Sequence, residues 1–160
     1  MKVRIDTREK TPWVFPDGVE TVVGTVRQGD YALDGDNTFG IERKSMKDFR
    51  GTVVREWDRF QRELVRMDRA GHPIKVIIVE CDFADYCFSQ DGDEVVPPEA
   101  GEDHVFTPSF AAMRVAELLV WNRTSVLFAR DEGMAAALAY QILLQRSIQL
   151  TGRVTLPRFN

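Results

Sequence analysis

The sequence has no run of 18 or more apolar residues, so it offers no segment long enough to cross a membrane as a helix. Its first ten residues, MKVRIDTREK, lack the apolar stretch of a secretory signal peptide. It has only two cysteines, Cys81 and Cys87, and two histidines, and their spacing matches no common zinc motif. We therefore expect an intracellular, complete protein, cytoplasmic or nuclear, whose thiols are reduced.

Positive charge is also scarce, and it is unevenly distributed. The net charge of −4 does not by itself indicate a protein that binds nucleic acid. Residues 1–75 nevertheless carry 15 Lys and Arg against 13 Asp and Glu, whereas residues 76–160 carry 6 against 12. Nine of those acids lie between Glu80 and Asp103, where no Lys or Arg occurs. The mean charge therefore conceals a mildly basic half and an acidic segment.

At 160 residues, 44% of them hydrophobic, the chain is long enough for one domain with one core. Strand-like segments come first and amphipathic helices alternate with apolar strands afterwards, which predicts an α/β fold with a mixed central β-sheet flanked by helices. The predicted strands are residues 2–5, 19–26, 38–43, 74–79 and 125–129, and the predicted helices are residues 46–70, 107–121 and 131–149. We assign residues 1–150 to the domain, with residues 82–106 as an acidic loop insertion, and residues 151–160 to a C-terminal tail.

Charged residues cluster where the third predicted strand ends, in the segment GIERKSMKDF at residues 40–49. Because alternate strand residues share a face, Glu42 and Lys44 point together and Arg43 points away. Pairing that brings Asp30, of the segment GDY, beside Glu42 gathers two carboxylates and one lysine. Two adjacent carboxylates repel unless a cation lies between them, and Mg²⁺ favours one or two carboxylates with water and a substrate phosphate. The pattern indicates metal-assisted phosphodiester hydrolysis, with Lys44 orienting or deprotonating water or stabilising charge on the phosphate.

A second charged set, DTRE at residues 6–9, ends the first predicted strand. Asp6 is a candidate metal ligand or outer-sphere anchor, Arg8 has the planar fork that suits a phosphate, and Glu9 is a candidate ligand or a partner of Arg8. Asp48, at the start of the 46–70 helix, either caps that helix or supports the lysine or arginine of the Glu-Arg-Lys segment. The two charged sets together define the candidate site.

These motifs resemble the nuclease domain of the XPF family of structure-specific DNA endonucleases, which includes the archaeal Hef-type nucleases. That domain belongs to the restriction-endonuclease-like superfamily. The family pattern is Asp-x-Arg-Glu, then Gly-Asp, a spacer, and Glu-Arg-Lys-x-x-x-Asp. The positions that match it are Asp6, Arg8, Glu9, Gly29, Asp30, Glu42, Arg43, Lys44 and Asp48. The order of predicted elements is compatible to about residue 149, so the resemblance covers most of the chain.

The resemblance implies a restriction-endonuclease-like core and Mg²⁺- or Mn²⁺-dependent cleavage of branched or flap DNA, usually by a homodimer or heterodimer. It implies Asp30 and Glu42 as metal ligands with Asp6 or Glu9 in support, and Lys44 as the catalytic lysine. Arg8 and Arg43 are expected to hold phosphate or the local ion-pair network, and the products to carry a 5′-phosphate and a 3′-hydroxyl. Two alternatives stay open: another enzyme of the superfamily, such as a resolvase or exonuclease, and a non-catalytic DNA-binding subunit of a nuclease heterodimer. Two features depart from the family: no tandem helix-hairpin-helix domain follows the last helix, and residues 82–103 are acidic.

Arginines of the predicted 46–70 helix fall within about 80° of one another on the helix wheel. They are Arg55, Arg59, Arg62, Arg66 and Arg69. They predict either a ridge that follows DNA phosphates or a solvated face with internal ion pairs. Arg8 and Tyr31 are further candidate DNA contacts, Tyr31 through base stacking beside Asp30. The Ala-rich segment 135–144 is either a dimer face or a cover for the sheet.

Overall fold

The computed structural model describes residues 1–88 and 106–152, together with the backbone of residues 90–91 and 94–95. The strands are β1 (Lys2–Ile5), β2 (Glu20–Val23), β3 (Tyr31–Leu33), β4 (Gly40–Lys44), β5 (Ile74–Glu80), β6 (Gln90–Asp91), β7 (Glu94–Val95) and β8 (Ser125–Ala129). The helices are α1 (Met46–Val54), α2 (Trp57–Arg69), α3 (Phe83–Cys87), α4 (Pro108–Asn122) and α5 (Glu132–Thr151). In the part of the chain that the structure describes, none of these helices combines the length and the hydropathy that a membrane crossing requires.

The main sheet has six strands in the order β2-β1-β3-β4-β5-β8. β1 runs parallel to β2 and antiparallel to β3, β3 runs antiparallel to β4, and β4, β5 and β8 are parallel to one another. β6 and β7 form a separate two-stranded pair. The mixed sheet with helices against it confirms the predicted α/β fold class.

Both faces of the sheet are covered, which explains the almost uninterrupted apolar sequence of β5. Ile78 lies on the face that packs against Leu143 of α5. Ile77 lies on the opposite face, in the cluster that contains Phe49 of α1 and Leu118 of α4. Each fully buried side chain of this kind contributes roughly 1.5–3 kcal/mol. Packing against the two clusters holds β4 and β5 in place. It therefore fixes the position of their carboxyl ends, where the charged residues lie.

The predicted helix over residues 46–70 is in fact two helices, so that prediction was wrong in its continuity. α1 ends at Val54 with Arg55 as its C-cap, and α2 begins after Glu56, whose backbone is not helical at φ −113° and ψ 13°. The last turn of α1 is Gly-Thr-Val-Val, and glycine and β-branched residues are poor helix formers. The break changes the direction of the chain between the two parts of the predicted arginine ridge.

The second strand is also shorter than predicted, because the chain turns away after Val23. We call residues 24–28 the crossing segment. The Gly24 N–H donates to the carbonyl of Ile5 at 2.9 Å, and the Val26 N–H donates to Asp6 Oδ2 at 2.8 Å. The segment then passes over β4 so closely that a Cβ on Gly40 would lie 1.6 Å from the Gln28 carbonyl oxygen. It therefore covers the sheet immediately beside the charged cluster.

The remaining predicted boundaries largely hold. Thr107 caps α4 by accepting the Phe110 N–H, and Asp131 caps α5 by accepting the Met134 N–H. The predicted loop at 82–106 begins instead with the helix α3, and most of its remainder lies outside the described residues. Residues 153–160 of the predicted tail also lie outside them.

Candidate active site

Strand pairing brings Asp30 and Glu42 to adjacent positions. Tyr31 of β3 pairs with Ile41 of the antiparallel strand β4, so the residues one step further, Asp30 and Glu42, are opposite one another. The Asp30 N–H donates to the Ile41 carbonyl at 2.8 Å, and the Arg43 N–H donates to Asp30 Oδ2 at 2.8 Å. The strand register therefore places the Asp30 and Glu42 carboxylates side by side, as predicted from the sequence.

Gly29 makes this pairing possible. It has φ +97°, in the region where residues with a side chain are strained. A Cβ at this position would lie 2.6 Å from the Ile41 carbonyl oxygen, the acceptor of the Asp30 N–H. Gly29 therefore lets the chain pass close to β4, and Asp30 forms hydrogen bonds with β4 at that point.

Glu42 and Lys44 point together, as the strand alternation predicted. Lys44 Nζ lies 3.2 Å from Glu42 Oε1. The two side chains are 21% and 18% exposed, so the pair is largely desolvated but still reachable from solvent. Lys44 Nζ also lies 6.0 Å from the centre of the Phe60 ring of α2. The lysine is therefore held between the carboxylate and the ring, with its head group accessible.

The two carboxylates are mutually unfavourable when both are ionised. Burial is the main cause that raises the pKa of Glu42 to about 7, the negative charge of Asp30 adds to it, and the charge of Lys44 opposes it. Burial also raises the pKa of Asp30, which the charge of Glu9 increases and the hydrogen bond from the Arg43 N–H reduces. One proton or one cation is needed to neutralise this pair near neutral pH.

The donor set suits a hard divalent cation. Mg²⁺ is bound in proteins by one or two carboxylates, with water and substrate phosphate completing its shell. Asp30 and Glu42 supply two carboxylates; burial is the main cause that raises both pKa values, and the charges of Glu9 on Asp30 and of Asp30 on Glu42 add to it. Within residues 1–88 and 106–152, no three Asp, Glu, His or Cys side chains converge into a metal-binding group. The site therefore fits an ion that takes few protein ligands rather than one enclosed by protein.

Asp6 organises the DTRE turn. Its Oδ1 accepts the Arg8 N–H at 2.9 Å and Arg8 Nε at 2.6 Å, and its Oδ2 accepts the Val26 N–H. Burial alone would raise the pKa of Asp6, but these hydrogen bonds hold it below its ordinary value. Because both oxygens are occupied and the residue is 1% exposed, this geometry favours the anchor over the ligand among the two roles predicted for it.

Arg8 lies beside the carboxylate pair and faces solvent. Its side chain is 77% exposed. The hydrogen bond to Asp6 is the main cause that raises the pKa of Arg8, and the charges of Asp30 and Glu42 add to it. An exposed guanidinium in this position is accessible to an incoming phosphate, and its role as a phosphate contact stays a prediction.

Arg43 points to the opposite face and joins a carboxylate network. Its guanidinium lies 2.8 Å from Glu80, 3.2 Å from Glu132 and 3.6 Å from Glu9. It also donates to the Thr11 carbonyl and is only 13% exposed. Of the two roles predicted for Arg43, phosphate contact and ion-pair network, the structure places it in the network. Glu9 pairs with Arg43 through this network, and its charge also acts on Asp30.

Sequence reasoning missed three members of this network: Glu80, Glu132 and Trp13. Trp13 donates its Nε1–H to Glu80 Oε1 at 2.8 Å, and the Arg43 guanidinium lies 5.3 Å from the Trp13 ring centre. Glu80 had a signal, since it ends the apolar run of β5, and parallel strands end at the same edge of a sheet. Trp13 had none, because its position depends on how the loop after β1 folds.

Asp48 acts as part of the α1 N-cap. Ser45 Oγ accepts the Asp48 N–H at 3.1 Å and donates to Asp48 Oδ2 at 2.8 Å. Ser45 is therefore the N-cap, and Asp48, an acid in the first turn, accepts the hydroxyl proton of the capping serine. The capping role predicted for Asp48 is thus present, and it fixes the start of α1 directly after Lys44.

The predicted arginine ridge divides at the helix break. Arg55 lies at the break, and Arg59 pairs with Glu56. The other three, together with Gln61 and Val65, line a groove of about 420 Å³ along α2; they are Arg62, Arg66 and Arg69. Arg66 is 77% exposed and its distance to Glu63 is 3.9 Å, so it is weakly paired. The groove, not the whole predicted ridge, is the basic surface of this helix.

Tyr31 does not reach the surface, which corrects its prediction as a DNA contact. It is 0% exposed, its ring stacks on Trp13 at a centroid distance of 4.4 Å, and its hydroxyl accepts the Trp13 N–H. Its strand position places it on the face opposite Asp30, toward α5. The residue therefore belongs to the core.

Comparisons with known proteins identify the same type of domain. The profile of the ERCC4 domain family matches residues 5–142. A structure of XPF from Aeropyrum pernix is 20% identical with a TM-score of 0.64, covering 95% of this chain and 68% of that chain. A structure of the same XPF in complex with DNA is 22% identical with a TM-score of 0.62, covering 93% and 66%. No curated protein sequence matches.

At these identities the two structures establish a shared fold, the six-stranded mixed sheet with its flanking helices. The profile match spans the DTRE turn, the Gly-Asp pair and the Glu-Arg-Lys strand. This chain therefore belongs to the ERCC4 domain family, with the fold of an XPF-like nuclease domain.

Proposed function

We propose that this chain is a divalent-metal-dependent endonuclease that hydrolyses phosphodiester bonds in branched or flap DNA. ERCC4 domains are typically nucleases and generally depend on a metal, and an XPF relative has been solved with DNA. The observation that carries the proposal is the convergence of Asp30, Glu42 and Lys44, with Lys44 Nζ 3.2 Å from Glu42. Two carboxylates and a reachable lysine are the minimum set for this chemistry.

The side chains divide the work by position. Asp30 and Glu42 would hold a divalent cation, and the cation would supply polarisation of the scissile phosphate. Lys44 orients or deprotonates the attacking water and stabilises charge as it builds on the phosphate oxygens. Arg8, exposed beside the pair, binds a phosphate oxygen with its planar fork. Asp6 fixes Arg8 through two hydrogen bonds, and hydrolysis leaves a 5′-phosphate and a 3′-hydroxyl.

DNA is held by the basic groove of α2. Arg62, Arg66 and Arg69 span eight residues of helix, about 10 Å along its axis, a length over which duplex DNA presents several phosphates. Phe60, which lies 6.0 Å from Lys44 Nζ, is on the buried face of the same helix, and these arginines lie about 180–240° around the helix from it, on the solvent side. Phosphate contacts of this type position the strand without reading its sequence.

The chain forms a homodimer through α4 and the edge strand β8. Among the described residues, Leu119, Val120 and Trp121 of α4 are 55%, 70% and 67% exposed. β8 is the last strand of the sheet and lies directly against α4. A strand edge that pairs with no other described strand, next to large exposed apolar side chains, favours an isologous contact between two copies.

The catalytic proposal is tested by cleavage of a panel of labelled DNAs. Wild-type chain, Lys44→Ala and the matched control Lys47→Ala, an exposed lysine of α1, are incubated with Mg²⁺ or Mn²⁺ and with flap, fork, four-way and linear substrates. Wild type and Lys47→Ala should cleave branched DNA, and Lys44→Ala should lose at least about 10²-fold in rate while keeping its thermal midpoint.

Three results would contradict the proposal. Full activity of folded Lys44→Ala removes the catalytic assignment. Preference for linear ends or four-way junctions identifies a different enzyme of the superfamily. Failure of the wild-type chain to cleave any substrate with either metal supports the non-catalytic subunit instead.

A further inference from the structure

A polar cavity of about 540 Å³ lies beside the candidate active site, bounded by the crossing segment and the turn after β3. Arg4 and Ala32 line it and pair with each other in the sheet. Each is two residues from a site aspartate, Arg4 from Asp6 and Ala32 from Asp30, so the cavity is on the same face as the site. Two residues of strand span about 7 Å, which is the offset between cavity and site.

The cavity has an excess of positive charge. Two arginines, Arg4 and Arg27, line it against one carboxylate, Asp36. Arg4 pairs with Asp34 and Asp36 pairs with Arg146, whereas Arg27 forms no ion pair within 4.0 Å with any carboxylate of residues 1–88 and 106–152. An unbalanced arginine at the wall of a polar cavity is suited to a phosphate.

His72 holds Arg27 in place. Arg27 Nη1 lies 3.4 Å from His72 Nε2, and His72 Nδ1 lies 3.1 Å from the Asn37 carbonyl oxygen. The arginine can only donate, so Nε2 is the acceptor and Nδ1 carries the proton given to Asn37. Three separate loops are joined by this chain of contacts, which fixes an otherwise exposed guanidinium at the edge of the cavity.

Gln28 adds a buried polar group to the cavity wall. The residue is 1% exposed, and its Nε2 donates to the Asp36 carbonyl at 2.6 Å. Its Oε1 is buried and has no hydrogen-bond donor among the described residues. Because a buried acceptor without a donor is costly, a ligand that donates an N–H or O–H group to this oxygen would be stabilised.

We propose that this cavity binds one nucleotide of the DNA strand that passes through the active site, adjacent to the cleaved bond. Arg27 and Arg4 bind its phosphate, and an amino group of its base donates to Gln28 Oε1. The proposal rests on the nuclease function proposed above. Its volume lies within the range of pockets that enclose small ligands, and Ala32 in its wall is two residues along the strand from Asp30.

The test measures binding of a fluorescent flap DNA by anisotropy at several salt concentrations, using the full chain carrying Lys44→Ala so that no cleavage occurs. Adding Arg27→Ala should weaken binding about tenfold and reduce the slope of log K against log salt by about 0.7–0.9, the value for one lost phosphate contact. Arg27→Lys should restore part of both. Thr25→Phe, which fills the cavity from an exposed position without changing charge, should also weaken binding.

The matched control is Arg123→Ala, which removes the same charge from the exposed C-cap of α4, outside the cavity, and should leave affinity and slope unchanged. Equal effects of Arg27→Ala and Arg123→Ala, or no effect of Arg27→Ala and Thr25→Phe with the thermal midpoint retained, overturn the cavity proposal and leave the nuclease proposal standing. A nucleoside monophosphate that binds in calorimetry through Arg27, while DNA binding is unchanged, overturns the strand assignment. Absence of both DNA binding and wild-type cleavage overturns both proposals.

Discussion

Glu42 is a carboxylate held where its charge is disfavoured, since burial and the neighbouring Asp30 raise its pKa to about 7. The same environment that weakens its ionisation makes the pocket attractive to a divalent cation, because cation binding removes the repulsion. Lys44 offsets only part of the unfavourable field. At the scale of single residues, the buried carboxylate pair therefore lowers folding stability and favours the binding of a cation.

The raised pKa of Glu42 predicts that the folding stability depends on pH. The folded-state pKa of Glu42 is about 7 against an ordinary value of 4.5, so the folded chain binds more protons between these values, and the free energy of unfolding falls as pH rises through this window. Glu42→Gln should remove this loss and raise the free energy of unfolding at pH 8 by about 1–3 kcal/mol, with cleavage abolished. Urea titrations at pH 5 and pH 8 measure it.

Glu20→Gln, an exposed glutamate at the start of β2, is the control and should retain the wild-type pH dependence. A Glu42→Gln variant that loses stability between pH 5 and pH 8 as steeply as wild type would contradict the assignment.

The alternation along β4 could be predicted from sequence, because the two-residue period of a strand is fixed. Glu42 and Lys44 were therefore assigned together correctly, and Arg43 to the other face. The burial of Tyr31 could not, since it depends on Trp13, which is brought over the strand by a loop with no periodic pattern. The sequence predicts which side chains share a face within a strand, but it does not predict which side chains a loop brings into contact.

At the scale of elements, the helix break after α1 shows what periodicity cannot settle. The apolar and arginine spacings run through residues 53–69 without interruption, but local propensity at Gly51 to Val54 ends the helix. The strand order was only partly predictable, because the sequence gives the alternation of elements and not the crossing of the segment after β2. Capping residues gave the starts of α4 and α5 because their mechanism is local.

Arg43 joins three elements, the loop after β1, the end of β5 and the start of α5. Arg43→Ala should lower the free energy of unfolding by about 2–4 kcal/mol, because it leaves three neighbouring carboxylates without their shared cation. Arg43→Lys should recover only part, since an ammonium cannot reproduce the fork that spans Glu80 and Glu132. Chemical denaturation measures both.

Arg130→Ala, an exposed arginine at the end of β8, should shift the denaturation midpoint little. If Arg43→Ala costs no more than Arg130→Ala, the network does not hold these elements together.

At the scale of the whole molecule, the described surface is asymmetric. The basic groove lies along the solvent side of α2, whereas the exposed apolar side chains of α4 lie by the last strand of the sheet. This asymmetry could not be predicted from composition, because apolar residues such as Leu119 to Trp121 are expected in a core. Only the sheet order shows that α4 lies at an edge, where these residues are exposed. Exposed apolar residues in such a group are typical of an association surface.

Trp121→Glu should convert the proposed dimer into a monomer, because it places a charge in the centre of the apolar group. Sedimentation velocity at micromolar concentration measures the change. Val14→Glu, at a residue 88% exposed in the loop after β1, is the control and should leave the dimer intact. A monomeric wild-type chain, or an unchanged dimer in Trp121→Glu, would contradict the proposed interface.

The opposite orientations of Glu42 and Arg43 make the chain intolerant of any change in length within β4. One inserted or deleted residue there would exchange the two faces, turning Glu42 toward the α5 side and Arg43 toward the α2 side. An insertion elsewhere would add local strain. One inserted residue in β4 would move Glu42 out of the candidate active site and Arg43 out of its ion-pair network at the same time. Related chains that stay active should therefore vary in the spacer before Gly40 and keep β4 at constant length.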